Sequence, residues 1–187
     1  MEIKWLKQTE AYDGTQLRSL YAYLGHKILG DSCVAWRGGC NISFKHMVDG
    51  EDLLEKAEIR GSDMVHFIVE IFDAQLLSGV LLQRLMATIV RDVIFESSKL
   101  PDLKIVRTGD DLYWGKKKLT ISIATKSPVS TLVHFAINVS NKGTPVETAC
   151  LDDLKLKPMD FGKKVLEKLK SEYEDSVLAT QKVRPVS

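Results

Sequence analysis

Two neighbouring segments with alternating side chains constrain the fold of this chain more than any other feature. Lys118–Thr125 and Thr131–Ser140 alternate with a period of two, which is the period of a β-strand. Only KSPVS, a turn-type sequence, separates them. Parallel strands need a crossover of roughly a dozen residues or more, so this short connection indicates antiparallel pairing. The sequence therefore predicts an antiparallel sheet with these two strands side by side.

Other segments add further strands and two long helices. Strands are predicted at Asp31–Gly38, Met64–Phe72 and Leu103–Thr108 from period-two alternation or from their branched and aromatic residues. Helices are predicted over residues 74–97 and 160–178, because apolar residues recur along each with helical spacing. Strands with short connections and long helices indicate an α+β fold, with a largely antiparallel sheet and helices packed on one face.

Length, composition and charge favour an ordinary globular domain. The 187 residues are 44% hydrophobic and 27% charged, which suits a domain able to bury a core. We predict a single domain over residues 1–187, with a flexible tail at 180–187. The formal net charge is +1, without the basic excess typical of nucleic-acid-binding proteins. A nucleic-acid partner is therefore not predicted.

The cysteines and the apolar runs bear on the cellular compartment. The three cysteines are Cys33, Cys40 and Cys150, and they show no paired spacing of a zinc site or redox motif. We interpret them as reduced thiols in a cytoplasmic protein without a metal site, and predict no role for Cys33 or Cys40. No signal-type run and no stretch of ~20 apolar residues occurs, so no membrane association is expected.

The two alternating strands each offer an apolar and a polar side. Leu119, Ile121 and Ile123 share one side of the first strand, and the corresponding branched and aromatic residues share one side of the second. We predict that these sides lie under the helices. The opposite side combines small and polar residues, which are Lys118, Thr120, Ser122, His134 and Asn138. This side is either a roomy surface for a ligand or a plain solvent-exposed face.

An arginine followed by two glycines forms a second candidate feature. Gly38 and Gly39 would let a ligand approach the backbone, and the guanidinium of Arg37 would bind a carboxylate or phosphate through two hydrogen bonds. The alternative is a glycine turn beside an exposed arginine.

Arg107–Gly143 resembles the central region of the biotin-protein ligase, lipoate-protein ligase and octanoyl transferase superfamily. That region shows an Asn-Asp pair, a basic pair and a strand that ends in Ile/Leu-Asn-Val. Asp110-Asp111, Lys117-Lys118 and Ile137-Asn138-Val139 stand at these places here. The upstream segment WRGGCNISFKH is similar to the Arg-Gly-Gly loop of the transferases, with matches at Arg37, Gly38, Gly39 and His46. The whole chain also resembles a family known only as domain of unknown function 366.

The resemblance implies a fold, a site and a chemistry. The fold would be biotin/lipoate ligase-like, which is class II aminoacyl-tRNA synthetase-like, with an acyl group held over the sheet. Lys118 would contact the polar head of that group, and Cys150 falls roughly where octanoyl transferases carry the cysteine that holds the acyl thioester. The residues implied in substrate binding are Arg37, Gly38, Gly39, His46, Asp111, Ser122, His134 and Asn138.

Three functions stay open at this stage, and the near-neutral charge argues against one of them, a synthetase-related domain that touches tRNA. Another is an acyl- or cofactor-transferring enzyme that acts through Lys118 on a small acyl or carboxylate ligand. Its cofactor would be ATP or an acyl carrier, and its protein partner an acyl-carrier or acceptor protein. The third is a non-catalytic domain that binds a small molecule or nucleotide. Asp110 replaces the usual Asn, Ile121 stands where ligases often have Gly, and the glycine/arginine signature of biotin ligases is missing.

Overall fold

A five-stranded sheet forms the centre of the molecule in the computed structural model, which describes residues 1–186. The strands of the chain are β1 (Glu2–Trp5), β2 (Ser32–Ile42), β3 (Ile59–Phe72), β4 (Ile105–Thr108), β5 (Asp111–Trp114), β6 (Lys117–Lys118), β7 (Thr120–Lys126) and β8 (Ser130–Asn138). The central sheet has the order β1-β2-β3-β8-β7, and β4, β5 and β6 form a small second sheet. Only β1 pairs in parallel, against β2. The predicted α+β class with a largely antiparallel sheet is confirmed.

Two long helices cover one face of the central sheet. The helices are α1 (Tyr21–His26), α2 (Gly50–Glu55), α3 (Leu76–Ser97) and α4 (Pro158–Gln181). Buried residues of α3 and α4 pack with Phe67, Val133 and Phe135 of the sheet in one core. β3 is the middle strand, and its side chains are buried on both faces of the sheet. Its sequence is therefore a nearly continuous apolar run. We call this side of the sheet the helix face, and the opposite side the open face.

The side-chain alternation predicted for β7 is out of phase by one residue. Leu119 lies between β6 and β7, and both Leu119 and Thr120 are fully buried, so the alternation that starts at Lys118 slips there. In the register of β7 with β8, Ile121 pairs with Ala136 and Ile123 with His134. Directly paired residues share a face. The isoleucines therefore lie on the open face with His134, whereas Thr120 and Ser122, which pair with Ile137 and Phe135, lie on the helix face. The predicted assignment of the two sides of this strand is wrong from Thr120 onward.

The Arg-Gly-Gly segment is part of a long strand and forms no turn. β2 continues through Gly38 and Gly39 to Ile42, with a bulge between Gly38 and Cys40. A Cβ on Gly38 would lie 1.8 Å from the carbonyl oxygen of Glu10, which also accepts a hydrogen bond from Nε1 of Trp36. Glycine is required at position 38 because another part of the backbone crosses there.

The last helix, α4, extends into the segment predicted as a flexible tail. The tail predicted from residue 180 starts inside α4, which ends at Gln181, and Ser187 lies outside the described residues. Within residues 1–186, the helices are all too short or too polar to span a membrane.

Gly79 on α3 provides a test of the packing between helix and sheet. A Cβ at this position would lie 2.3 Å from Cγ2 of Thr131, a buried residue whose hydroxyl donates to the carbonyl of Ala74. We expect Gly79→Ala to lower the free energy of unfolding by ~1–3 kcal/mol, because the overlap outweighs the gain in helix propensity. Urea denaturation measures the change. Gly25→Ala on α1, where no heavy atom lies within 4 Å of the new Cβ, is the control and should not destabilise. Equal stabilities of the two variants would contradict this packing.

Candidate functional site

A cavity of about 480 Å³ opens on the open face of the central sheet. Its floor comes from β3, β7 and β8 through Met64, Ile121, Ile123, His134 and Asn138. Residues 46–52, which include the start of α2, and residues 144–148 form parts of its walls. This volume and this mixture of apolar and polar side chains are typical of a site for a small molecule.

Lys118 lies in the wall of this cavity and is held by an ion pair. Its Nζ is 2.8 Å from Oδ2 of Asp111, and about a third of its side chain is exposed. In the pairing of β5 with β6, Tyr113 lies opposite Lys118, and Asp111, two residues earlier on the same side of β5, lies diagonally next to it. Burial raises the pKa of Asp111, and the hydrogen bond and charge of Lys118 oppose that rise. The ammonium group is thus fixed in position while still reaching the cavity.

Asn138 fixes the backbone around Lys118. Its Nδ2 donates to the carbonyl oxygens of Lys118, at 3.4 Å, and of Ala149, at 3.3 Å. The amide of Ala149 in turn donates to the carbonyl of Lys118. Asn138 therefore links three chain segments at the end of the cavity where the lysine lies, and its side chain is almost fully buried.

Two buried histidines form a hydrogen-bonded pair beneath the cavity. Nδ1 of His66 lies 3.1 Å from Nε2 of His134, and Nε2 of His66 lies 3.2 Å from the carbonyl oxygen of Gly38. Tyr12 stacks on His134 with ring centroids 3.7 Å apart. Burial lowers the pKa of His66 to about 4 and also lowers the pKa of His134, so both rings are neutral near pH 7.

The structure brings together six of the ten predicted site residues. The residues that line the cavity are His46, Asp111, Lys118, Ser122, His134 and Asn138. The Ser122 hydroxyl turns toward α3, where it donates to Asp110 and accepts from Gln83. Their common location is a finding, and their roles in binding stay predictions.

Arg37, Gly38 and Gly39 are not part of the described cavity lining. Arg37 forms an ion pair with Asp63, with Nε 2.9 Å from Oδ1. In β2 it alternates with Trp36 and so belongs to the opposite side of the strand. Gly38 contributes indirectly, because its carbonyl oxygen is the hydrogen-bond partner of Nε2 of His66. The structure does not bring the predicted anion-binding segment together with Lys118.

Cys150 is close to Lys118 along the backbone but is absent from the described cavity lining. The backbone of Thr148 forms an isolated parallel β-bridge with that of Lys118, so the chain that leads to Cys150 passes beside the lysine. The Cys150 residue is only 2% exposed, and burial raises the pKa of its thiol to about 11. Both properties oppose formation of the thiolate that a nucleophile requires.

The sequence interpretation missed the acidic character of the cavity. Six carboxylates line it, from Asp49, Glu51, Asp52, Glu58, Asp110 and Asp111, against two permanent cations from Arg60 and Lys118. A lining with this excess of negative charge does not fit the triphosphate of ATP, which is bound through cations and backbone amides. Within residues 1–186, no group of three or more His, Cys, Asp or Glu side chains is placed to hold a metal ion.

Comparison with known proteins identifies the family. The domain of unknown function DUF366 matches residues 1–184. The chain belongs to the DUF366 family. An uncharacterised protein of Methanocaldococcus jannaschii is 35% identical over 183 residues, which cover 95% of this chain and 80% of that protein. A solved structure of a protein of unknown function from Pyrococcus horikoshi is 37% identical, covers 100% of both chains and has a TM-score of 0.92.

More distant structures show what the fold of this DUF366 protein resembles. A mutant biotin protein ligase from Aquifex aeolicus, in complex with biotin, has a TM-score of 0.60 at 15% identity, over 93% of this chain and 70% of that one. A putative lipoate protein ligase from T. acidophilum has a TM-score of 0.56 at 16% identity, over 92% and 85% of the two chains. The predicted ligase-like fold is confirmed.

The buried histidine pair makes the stability of the DUF366 protein depend on pH. In the unfolded chain a histidine binds a proton below about pH 6.5, whereas burial keeps His66 neutral down to a pKa of about 4. The unfolded state then binds more protons, so stability falls as the pH is lowered across this range, by ~1.4 kcal/mol per pH unit for each histidine.

Urea denaturation at several pH values between about 4.5 and 7.5 tests this. His134→Gln removes one titrating ring and should flatten the pH dependence. His46→Gln, at a half-buried ring that is not part of the pair, is the control. A His134→Gln slope equal to that of the unmodified protein would contradict the assignment.

Proposed function

We propose that this DUF366 protein is an acyl-transferring enzyme, whose ligand lies in the cavity on the open face of the sheet. The observation that carries the proposal is the position of Lys118, whose ammonium group is fixed by Asp111 in the wall of a cavity of small-molecule size. The ligase-like fold supports it, since a biotin protein ligase of similar fold is known in complex with biotin, and a putative lipoate protein ligase shares that fold.

The chemistry assigned to Lys118 is electrostatic. When a nucleophile adds to an acyl carbon, negative charge develops on the carbonyl oxygen, and a fixed ammonium group stabilises that charge. The ion pair with Asp111 holds the flexible lysine stem in place. Asn138 serves as a positioning residue, because it binds the backbone carbonyl of Lys118.

The acidic lining favours an acyl donor that is already activated. We therefore assign the donor to the thioester class, on an acyl carrier or a small thiol. The acceptor nucleophile forms a bond to the acyl carbon, the bond from that carbon to sulfur breaks, and the leaving thiol takes the proton released by the acceptor. Cys150 as a covalent intermediate stays a prediction that its burial opposes.

A non-catalytic binding domain is the second candidate. Two observations favour it. The acidic lining is unfavourable for the phosphates of an adenylate, and the sequence lacks the glycine/arginine signature of biotin ligases. Under this alternative a ligand stabilises the protein without turnover.

Binding of octanoate, lipoate, biotin and ATP to the unmodified protein, measured by calorimetry and thermal shift, tests the site. Lys118→Met keeps the stem and removes the charge, and we expect it to weaken binding of an acyl or carboxylate ligand by about tenfold or more. Lys116→Met is the control, because Lys116 is exposed and outside the described cavity lining. Unchanged affinity in Lys118→Met would remove Lys118 from the site.

Mass spectrometry after incubation with an octanoyl thioester tests the route of transfer. We expect no stable adduct on Cys150, and Cys150→Ala should retain transfer, because the thiol is buried with a raised pKa. Cys33→Ala, at another buried thiol, controls for effects on folding. An octanoyl group found on Cys150, together with loss of transfer in Cys150→Ala only, would establish the covalent route instead.

A further inference from the structure

The cavity on the open face has a charged end and an apolar end. At the charged end, Lys118 pairs with Asp111. Burial and the neighbouring charge of Asp49 raise the pKa of Asp52, and the charge of Lys118 opposes this rise, so the start of α2 lies near the lysine. A polar or charged group of a ligand is therefore favoured at this end of the cavity.

The apolar end belongs to a second core, which lies on the open face of the sheet. Tyr12 and Met64 are buried members of this core and also line the cavity. Partly buried side chains that pack against the core extend this lining, and they are Leu17, Ile42, Ile59 and Ile121. Burial of a hydrocarbon chain against such a surface is favourable, whereas a charged group would lose its hydration there.

Tyr12 stands between the apolar end of the cavity and the rest of the second core. Its ring stacks on His134 with centroids 3.7 Å apart, and the ring of Trp36 lies 6.5 Å away. Its amide donates to the carbonyl of Gly39, and its carbonyl accepts from the amide of Asn41. Ring and backbone are both held in place, so Tyr12 is a fixed wall that does not yield to a longer ligand.

The spacing along β8 gives the distance between the two ends. Asn138 binds the backbone of Lys118, and His134 lies under the ring of Tyr12. These two residues of β8 are four positions apart, which corresponds to roughly 13 Å. An extended hydrocarbon chain advances about 1.25 Å per bond, so roughly ten carbons span this distance.

We propose that Tyr12 determines the specificity of this cavity, by closing its apolar end and limiting the length of a linear acyl chain. The inference rests on the proposed function, because it assigns the carboxyl or thioester end of the ligand to Lys118. The chain lies against Met64 and Ile121, and its methyl end meets the ring of Tyr12. The substrate class is thus an unbranched acyl chain of medium length without a polar group at its far end.

Calorimetry with linear carboxylates from hexanoate to tetradecanoate, below their micelle concentrations, tests this inference. Each methylene group that becomes buried should tighten binding about fourfold, until the chain reaches Tyr12 near decanoate and the affinity stops rising. Tyr12→Leu removes the ring and should bind tetradecanoate about tenfold or more tightly than the unmodified protein does. Tyr23→Leu is the matched control, because Tyr23 is an exposed tyrosine outside the described lining.

Ile121→Phe changes the limit in the opposite direction. The larger side chain fills part of the apolar end, so it should weaken binding of decanoate about tenfold more than binding of hexanoate. Thermal denaturation establishes that each variant is folded. Ile121→Phe decides the question if Tyr12→Leu does not fold.

The outcomes separate this inference from the proposed function. If both variants leave the length limit in place while binding depends on Lys118, the inference is overturned and the proposed function stands. If the limit moves as expected but Lys118→Met leaves every affinity unchanged, the proposed function is overturned and the role of Tyr12 stands. An affinity that rises without a limit up to tetradecanoate, or absence of binding by all the acids, overturns the inference.

Discussion

The register between β3 and β8 is the constraint on which the rest of the structure depends. Ile68 pairs with His134 and His66 with Ala136, so the two histidines lie diagonally on the open face and reach each other. The same register turns Phe67 and Phe135 toward α3 and α4. A slip by one residue would exchange the two faces, placing imidazoles under the helices and phenyl rings in the cavity. The core and the candidate site are therefore fixed together.

Sequence periodicity predicted the architecture because regular strands and helices repeat their pattern over many residues. It failed at Leu119, where the chain passes from the small sheet to the central sheet and two successive side chains are buried. Nothing local distinguishes such a junction from continued alternation, since Leu and Thr occur readily on either side of a strand. Lys118 precedes the slip and lines the cavity, whereas Ile121 follows it and lies on the opposite side from the predicted one.

The remaining differences come from contacts between residues distant in sequence. Gly38 looked like a place where a ligand approaches the backbone, and the backbone of Glu10 occupies that place instead. The contact between His66 and His134 has no sign in the sequence, because the two residues lie 68 residues apart and meet only through the strand order. Half of the six lining carboxylates, Asp49, Glu51 and Asp52, lie at the start of α2. Carboxylates suit the first turn of any helix, so these residues are no independent sign of a site. Patterns within one segment do not reveal contacts between residues that are distant along the chain.

The charges around this cavity are unfavourable for a phosphate group. The ion pair between Lys118 and Asp111 leaves little net positive charge for a phosphate, while the carboxylates of α2 and Asp110 repel one. The fold thus supplies a platform for a small ligand, and the side chains on it decide which ligand.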